Sequence, residues 1–230
     1  AVTGRGVRTD FIRLPAGNTR INVKLKSDAE TEINAQGPVI GEQDLMKLYE
    51  KLDAIAAGDT LVLAGSVPGT LPQDVYEQIL SRLQGREIRF VVDATGELLT
   101  NVLKYHPFLI KPNRAELEEI CGRELQTDEE IAEAARELKA KGAQNVLVSL
   151  GGDGALLVDE FDRVHRQAAF QGKAVNTVGS GDSMVAGFLV GAERDYDYAL
   201  TLGNAAGSAT AFSPRLATKE EIMALCQKRA

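Results

Sequence analysis

The residues with the clearest chemical potential form one run, Asn176-Thr177-Val178-Gly179-Ser180-Gly181-Asp182, which opens directly onto the apolar stretch SMVAGFLVGA. Glycines at 179 and 181 let the backbone turn tightly. Successive N–H groups, with the N-terminus of the following helix, can then aim at one point. Such a cluster holds an anion and suits a transferring phosphoryl group. Asp182, at the first helical turn, is placed to take a proton from an attacking hydroxyl. The same residues also fit a structural use, a tight turn with Asp182 capping a buried helix.

The rest of the chain reads as a scaffold of alternating strands and helices. Thr19–Lys26 (TRINVKLK) and Glu30–Ala35 (ETEINA) alternate apolar and polar residues, as strands with one solvated face do. Helical patterns follow at Gln43–Ala57, with Leu45, Leu48, Tyr49, Leu52 and Ile55 on one stripe, and at Gln73–Gln84, Gly96–Lys104 and Asp128–Lys141. Strands are expected at Thr60–Ala64, Ile88–Asp93, Phe108–Lys111 and Asn145–Leu150, with a return strand at Ala155–Val158. From Asp182 onward the chain reads as mostly helical. This beat predicts an α/β fold with a mostly parallel central sheet and helices on both faces. One domain over 1–230 with a small β appendage is expected, and no internal repeat or linker is visible.

Open α/β sheets bind ligands beyond the carboxyl ends of their strands. The segments there are GSVPG, DATG, KPNRAE, SLGGDG and NTVGSGD. Standard phosphate motifs are missing. Gly172-Lys173 is followed by Ala174, which excludes a P-loop, and Gly179-Ser180-Gly181-Asp182-Ser183-Met184 lacks the third glycine of a dinucleotide fingerprint.

Composition narrows the partners. The 230 residues carry 26 Lys+Arg against 33 Asp+Glu, a formal net charge of −7, which argues against a nucleic-acid partner. The longest apolar run, Met184–Ala192, is far below the roughly 20 residues that span a bilayer. Cys121 and Cys226 lack metal-type spacing and suggest a reducing, cytoplasmic setting. His106 and His165 are isolated, with no carboxylate or cysteine partner at useful spacing, and are assigned no role; Arg215 reads as solvated surface.

NTVGSGD resembles the signature Asp/Asn-Thr-x-Gly-Ala/Ser-Gly-Asp of the PfkB branch of ribokinase-like sugar kinases. Lys111-Pro112-Asn113-Arg114-Ala115-Glu116, Val148–Gly154 and Ala64–Pro68 agree with it. Thr19–Lys26 and Thr31–Pro38 are most similar to the hexose-phosphate subgroup that holds 1-phosphofructokinase and tagatose-6-phosphate kinase. The resemblance runs in order along nearly the whole chain. It implies a ribokinase-like fold with a β lid at roughly 19–37, and an ATP- and Mg2+-dependent transfer to fructose 1-phosphate. Tagatose 6-phosphate or fructose 6-phosphate are alternative acceptors, and a non-catalytic binder of nucleotide or sugar phosphate is a further alternative.

Carried over residue by residue, the resemblance makes Asp182 the proton acceptor and Gly179, Ser180 and Gly181 the anion hole. Lys111 would lie near the nucleotide phosphates. Asn113 and Glu116 match Asn-x-x-Glu, which helps place Mg2+, Glu116 indirectly; the same pair fits a capping box. Ser149, Leu150, Gly151, Gly152, Asp153 and Gly154 would border the nucleotide. Asn204 and Ser208 would flank the adenine, although small residues there also serve close helix packing. Arg20 would grip the acceptor phosphate with its guanidinium fork, and Gly65 and Ser66 would face it. Asp93, at a strand end, could assist metal placement or cap the next helix. Lid strands that pair between subunits imply a homodimer. Family members open with a sugar-contacting Asp on a first strand and a Gly-Gly-Lys-Gly-x-Asn motif, neither found here. Position 1 is therefore expected to align after them, leaving a sheet edge open to pairing.

Overall fold

The computed structural model describes residues 4, 6–26 and 30–228. Its contacts group into two compact units, Ala1–Asp59 with Ser66–Ile88, and Thr60–Gly65 with Arg89–Ala230.

The first unit holds an antiparallel ribbon of β1 (Asn22–Lys26) and β2 (Glu30–Asn34), with Val23 opposite Ile33. Two amphipathic helices follow, α1 (Glu42–Asp53) and α2 (Val75–Leu83). Leu52, Val75, Tyr76, Ile79, Leu80, Leu83 and Ile88 are buried. Removing each of the aliphatic side chains among them from water is worth roughly 1.5–3 kcal/mol. A bidentate ion pair adds geometry: Arg82 Nε and Nη2 donate to Asp53 Oδ1 and Oδ2 at 2.8 and 2.5 Å.

The second unit is built on a six-stranded sheet in the order β3 (Thr60–Ala64), β4 (Arg89–Asp93), β5 (Leu109–Ile110), β6 (Asn145–Ser149), β7 (Ala155–Val158), β8 (Val164–Gln167). The first four strands are parallel and the last two antiparallel, matching the expected mostly parallel sheet and return strand. Alternate strand residues point to opposite faces. On one face Val91, Leu109, Leu147, Ala155 and Leu157 pack with Met184, Val185 and Phe188 of α6 (Ser180–Ala192) and Ala199 and Leu200 of α7 (Tyr196–Ala211). The intervening residues Val92, Ile110, Val146, Val148, Leu156 and Val158 are also buried. The helix α5 (Asp128–Ala140), which contacts β6 and β7, buries Ile131, Ala134, Ala135 and Leu138. Both faces are therefore covered, and these strands read as apolar runs.

The helices α6 and α7 lie unusually close. A Cβ on Gly187 would stand 2.6 Å from Leu202 O, and one on Gly203 would stand 2.9 Å from Met184 O. A capping box formed by Thr127 and Glu130 opens α5, whose acidic first turn ends on a basic last turn, as its sequence predicts. A second box, Thr218 with Glu221, starts α8 (Lys219–Gln227), and Arg215 is paired with Glu221 rather than merely solvated.

The structure alters several expected boundaries. The helix expected over Gly96–Lys104 is α3 (Gly96–Thr100), followed by a 3-10 turn at Leu103–Tyr105 and left-handed His106. The strand expected at Phe108–Lys111 shortens to two residues because Pro107 and Pro112 supply no N–H on either side. Gly151–Asp153 is one 3-10 turn. The capping-box reading of Asn113 and Glu116 is met by the helix α4 (Arg114–Cys121), whereas the strand β8 was not anticipated; β8 (VHRQ) carries one apolar residue. Among the described residues no helix is long and apolar enough to cross a membrane.

Candidate active site

Gly179 caps α6 in the left-handed region, at φ 79°, where an L side chain is strained. The turn is closed by Ser180 N to Thr177 O at 3.1 Å and Ser183 N to Gly179 O at 2.9 Å. Gly181 follows, and the backbone here runs close to Lys111: a Cβ on Gly181 would stand 3.2 Å from Lys111 Nζ. Asp182, one residue on, is exposed. The hydroxyl of Ser180 is buried without a hydrogen-bond partner. A helix N-terminus, a lysine ammonium and an orphaned hydroxyl thus converge, an arrangement suited to an anion.

The β4–β5 register pairs Val91 with Leu109 and Val92 with Ile110, so the next residues, Asp93 and Lys111, stand side by side. Lys111 is only 7% exposed, and its Nζ lies 3.1 Å from Asp93 Oδ1. Burial pushes the Asp93 carboxyl above its usual range, Lys111 pulls it back, and the charge of Asp182 pushes it up again.

Asn113 and Glu116 form a full capping box at the start of α4. Glu116 N donates to Asn113 Oδ1 at 2.9 Å, and Asn113 N donates to Glu116 Oε2 at 2.8 Å. The cap uses one oxygen of each side chain. Among the described residues no group of three His, Cys, Asp or Glu is arranged to hold a metal ion. The residues fit a cation such as Mg2+, which is typically held by one or two carboxylates together with substrate phosphates.

Two cavities flank this centre. One of about 610 Å³ is lined by the polar side chains of Lys111, Asn113, Ser149, Ser180, Asn204 and Ser208, by Gly151, Gly152 and Gly181, and by Phe170, Gly172 and Phe212. Its size suits a nucleotide-sized ligand. A smaller, largely apolar recess of about 240 Å³ is lined by Val62, Ala64, Asp93, Asp182, Val185, Ala186 and Leu189. Asn204 is buried and donates to Ala168 O at 2.9 Å, so its amide holds the strand leading into the cavity.

Most of the residues singled out in the sequence therefore meet at one end of the sheet. Leu150, Asp153 and Gly154 lie in the adjoining turn without lining the cavity, and Asp153 instead pairs with Arg114 at 3.4 Å. Gly65, at φ 89°, ends β3 in the second unit. Ser66 and Arg20 belong to the first unit, where Arg20 Nε donates to Ala35 O at 3.1 Å. The sequence left unmarked Phe170, Gly172 and Phe212; a Cβ on Gly172 would stand 2.4 Å from the Phe212 ring. No local motif encodes that long-range contact.

A helix N-terminus suited to an anion, a carboxylate beside it and a cavity at the carboxyl ends of parallel strands are the parts that a phosphotransferase with an alcohol acceptor needs. The pfkB carbohydrate kinase family profile matches residues 2–222, and the chain belongs to that family. It is 44% identical to a 1-phosphofructokinase of Bacillus subtilis, over 91% of this chain and 69% of that protein. It superposes on Escherichia coli phosphofructokinase-2, solved with substrates and products, with a TM-score of 0.83 and 29% identity, covering 90% of this chain and 70% of the other. An Arabidopsis thaliana ribokinase shares the fold at TM-score 0.74 and 22% identity, covering 96% and 74%.

Proposed function

We propose that this kinase transfers the γ-phosphoryl group of ATP to the free primary hydroxyl of fructose 1-phosphate, giving fructose 1,6-bisphosphate and ADP. One observation carries the reading: the Gly179–Gly181 turn borders the larger cavity, whereas Asp182 lines the neighbouring recess. A donor in the first and an acceptor in the second would meet across a single helical turn. Asp182 takes the hydroxyl proton as the oxygen attacks the γ-phosphorus, and the bond to the ADP oxygen breaks. The backbone N–H groups of the turn and the Lys111 ammonium hold the equatorial oxygens as charge spreads over them. Mg2+, when bound with the nucleotide, supplies further charge neutralisation, and Asn113 and Glu116 would hold it, Glu116 through its remaining oxygen.

The 1-phosphofructokinase relative favours fructose 1-phosphate as acceptor. Arg20, Gly65 and Ser66 are assigned to the acceptor phosphate, Lys111 to the nucleotide phosphates, Ser149–Gly154 to the border of the nucleotide, and Asn204 and Ser208 to the adenine side. The reading places the reaction in the cytoplasm, and the β1–β2 ribbon as a contact between two copies of the chain. A dimeric mass by light scattering supports that contact and a monomeric mass refutes it.

The test is ADP release with MgATP and a panel of fructose 1-phosphate, tagatose 6-phosphate and fructose 6-phosphate. Turnover fastest on fructose 1-phosphate and lost in Asp182→Asn supports the proposal. Preference for another acceptor corrects the substrate, and silence on all three refutes kinase activity for this chain.

A further inference from the structure

Lys111 and Asp93 form the partition between the two cavities: Lys111 lines the larger one and Asp93 the apolar recess. A buried ammonium is costly unless paired. Among the described residues Asp93 is its one ion-pair partner, and the side chains are 9% and 18% exposed. The pairing follows from topology, since adjacent parallel strands end in register with both side chains on the face that α6 covers. Lys111 also lies close to the turn, since a Cβ on Gly181 would stand 3.2 Å from its Nζ. An ammonium has three N–H donors, so one held by Asp93 leaves others for the larger cavity.

We propose that Asp93 is a positioning residue that fixes the Lys111 ammonium under the Gly179–Gly181 turn, so that a complete anion site exists before nucleotide arrives. The inference rests on the phosphotransfer reading and assigns Asp93 a role exerted through Lys111 rather than through a metal ion. Preorganisation of this kind removes the cost of ordering a long, flexible side chain at the moment of binding.

The experiment is a double-mutant cycle on MgADP binding, read by calorimetry on the whole chain, with melting temperatures alongside. Lys111→Met is expected to weaken MgADP binding about tenfold, Asp93→Asn by a comparable factor, and the double variant no more than Lys111→Met alone. In the kinetic assay kcat is expected to follow the same pattern, the double variant falling no further than Lys111→Met alone. Three results would overturn the proposal: losses that multiply in the double variant, recovery of Asp93→Asn by higher free Mg2+, or Asp93→Asn binding within twofold of wild type. If Asp93→Asn fails to fold, the comparison of Lys111→Met with the double variant still decides, because replacing both members of a buried pair is usually tolerated. Binding of MgADP needs no acceptor. A wild-type chain that binds it yet phosphorylates nothing refutes the proposed function while leaving the pair under test, and one that does not bind it overturns both.

Discussion

The helix α7 runs along β8 from one end of the sheet to the other, and its two ends use polar groups in opposite ways. Side-chain bonds tie the helix to β8 and to the residue after it, among them His165 Nδ1 with Asp197 Oδ1 at 2.7 Å, Gln167 Nε2 to Thr201 Oγ1 at 2.9 Å, and Asn204 Nδ2 to Ala168 O at 2.9 Å. At the far end every buried group is satisfied. Asp159, fully buried, accepts from Phe161 N, Arg163 N, Arg163 Nε and His165 Nε2 at 2.7–2.9 Å, filling a carboxylate's capacity. Lys139 reaches the same loop through Asp159 O and Asp162, and Tyr196 reaches it through Glu160. At the cavity end, among the described residues, the Ser180 hydroxyl has no hydrogen-bond partner and the Lys111 ammonium has one ion-pair partner. Saturation marks the end that holds the fold, and spare capacity marks the end awaiting a ligand.

The contrast is broken most severely at Asp182. Asp182→Asn should lower kcat by about 10²–10⁴-fold, the usual worth of a positioned proton acceptor, while the melting temperature stays near wild type because the side chain is exposed. Steady-state kinetics beside thermal unfolding checks both halves. A comparable loss of stability would put Asp182 among the structural groups instead.

Next in size is the packing that both ends share. Gly187→Ala would drive a methyl to 2.6 Å from Leu202 O, and backbone cannot move aside as a side-chain tip can. Overpacking of this kind costs about 1–3 kcal/mol, or more where only backbone is in the way. Denaturant unfolding should show the lowered midpoint, with nucleotide binding weakened in proportion as α6 and α7 separate. Asn204→Ala should follow at about 1–3 kcal/mol, because it leaves the Ala168 carbonyl without its side-chain donor. It should also raise the KM for ATP, whereas Thr201→Val, one rung away, should leave that constant within about twofold and so sharpen the boundary between the two ends.

How far the sequence reveals this division follows from the range of the interactions. The alternation of strand and helix, the macrodipole-matched α5 and the Gly179–Gly181 turn depend on neighbours in sequence, and local pattern exposes them. The capping box of Asn113 and Glu116 is visible for the same reason. The lysine–aspartate partition is only half visible, since the strand ends can be read but their adjacency depends on sheet order. His165 is the plainest correction. Sequence spacing gave it no carboxylate partner, yet folding places Asp159 and Asp197 on its two nitrogens, because β8 pairs with β7 and lies beside α7. An apolar-poor edge strand carries too little periodicity to reveal either fact.

The smallest effect comes from that histidine, and its sign is fixed by the geometry. Both ring nitrogens face carboxylates, so the protonated ring, which can donate from both, is favoured. Burial pulls its pKa down, but the hydrogen bonds to Asp159 and Asp197 outweigh burial and hold it above the ordinary value of 6.5. A raised folded-state value means that this contribution is complete below the unfolded pKa, near 6.5, and is lost as pH rises through the folded value. Asp159 is shifted the other way: burial raises it, but its hydrogen bonds to His165, Arg163 and Phe161 prevail and hold it below the carboxylate range. Its contribution is therefore present above about pH 4 and lost on acidification. Stability attributable to the cluster should peak between these limits and decline on the alkaline side of 6.5. Measured by urea unfolding from pH 5 to 9, His165→Gln should remove the alkaline decline relative to wild type. The KM for ATP should change little at any pH, because Asn204 and the cavity lie at the other end of α7. A KM that tracked the histidine's titration would mean that the two ends of the helix are coupled, and that the saturated end tunes the open one.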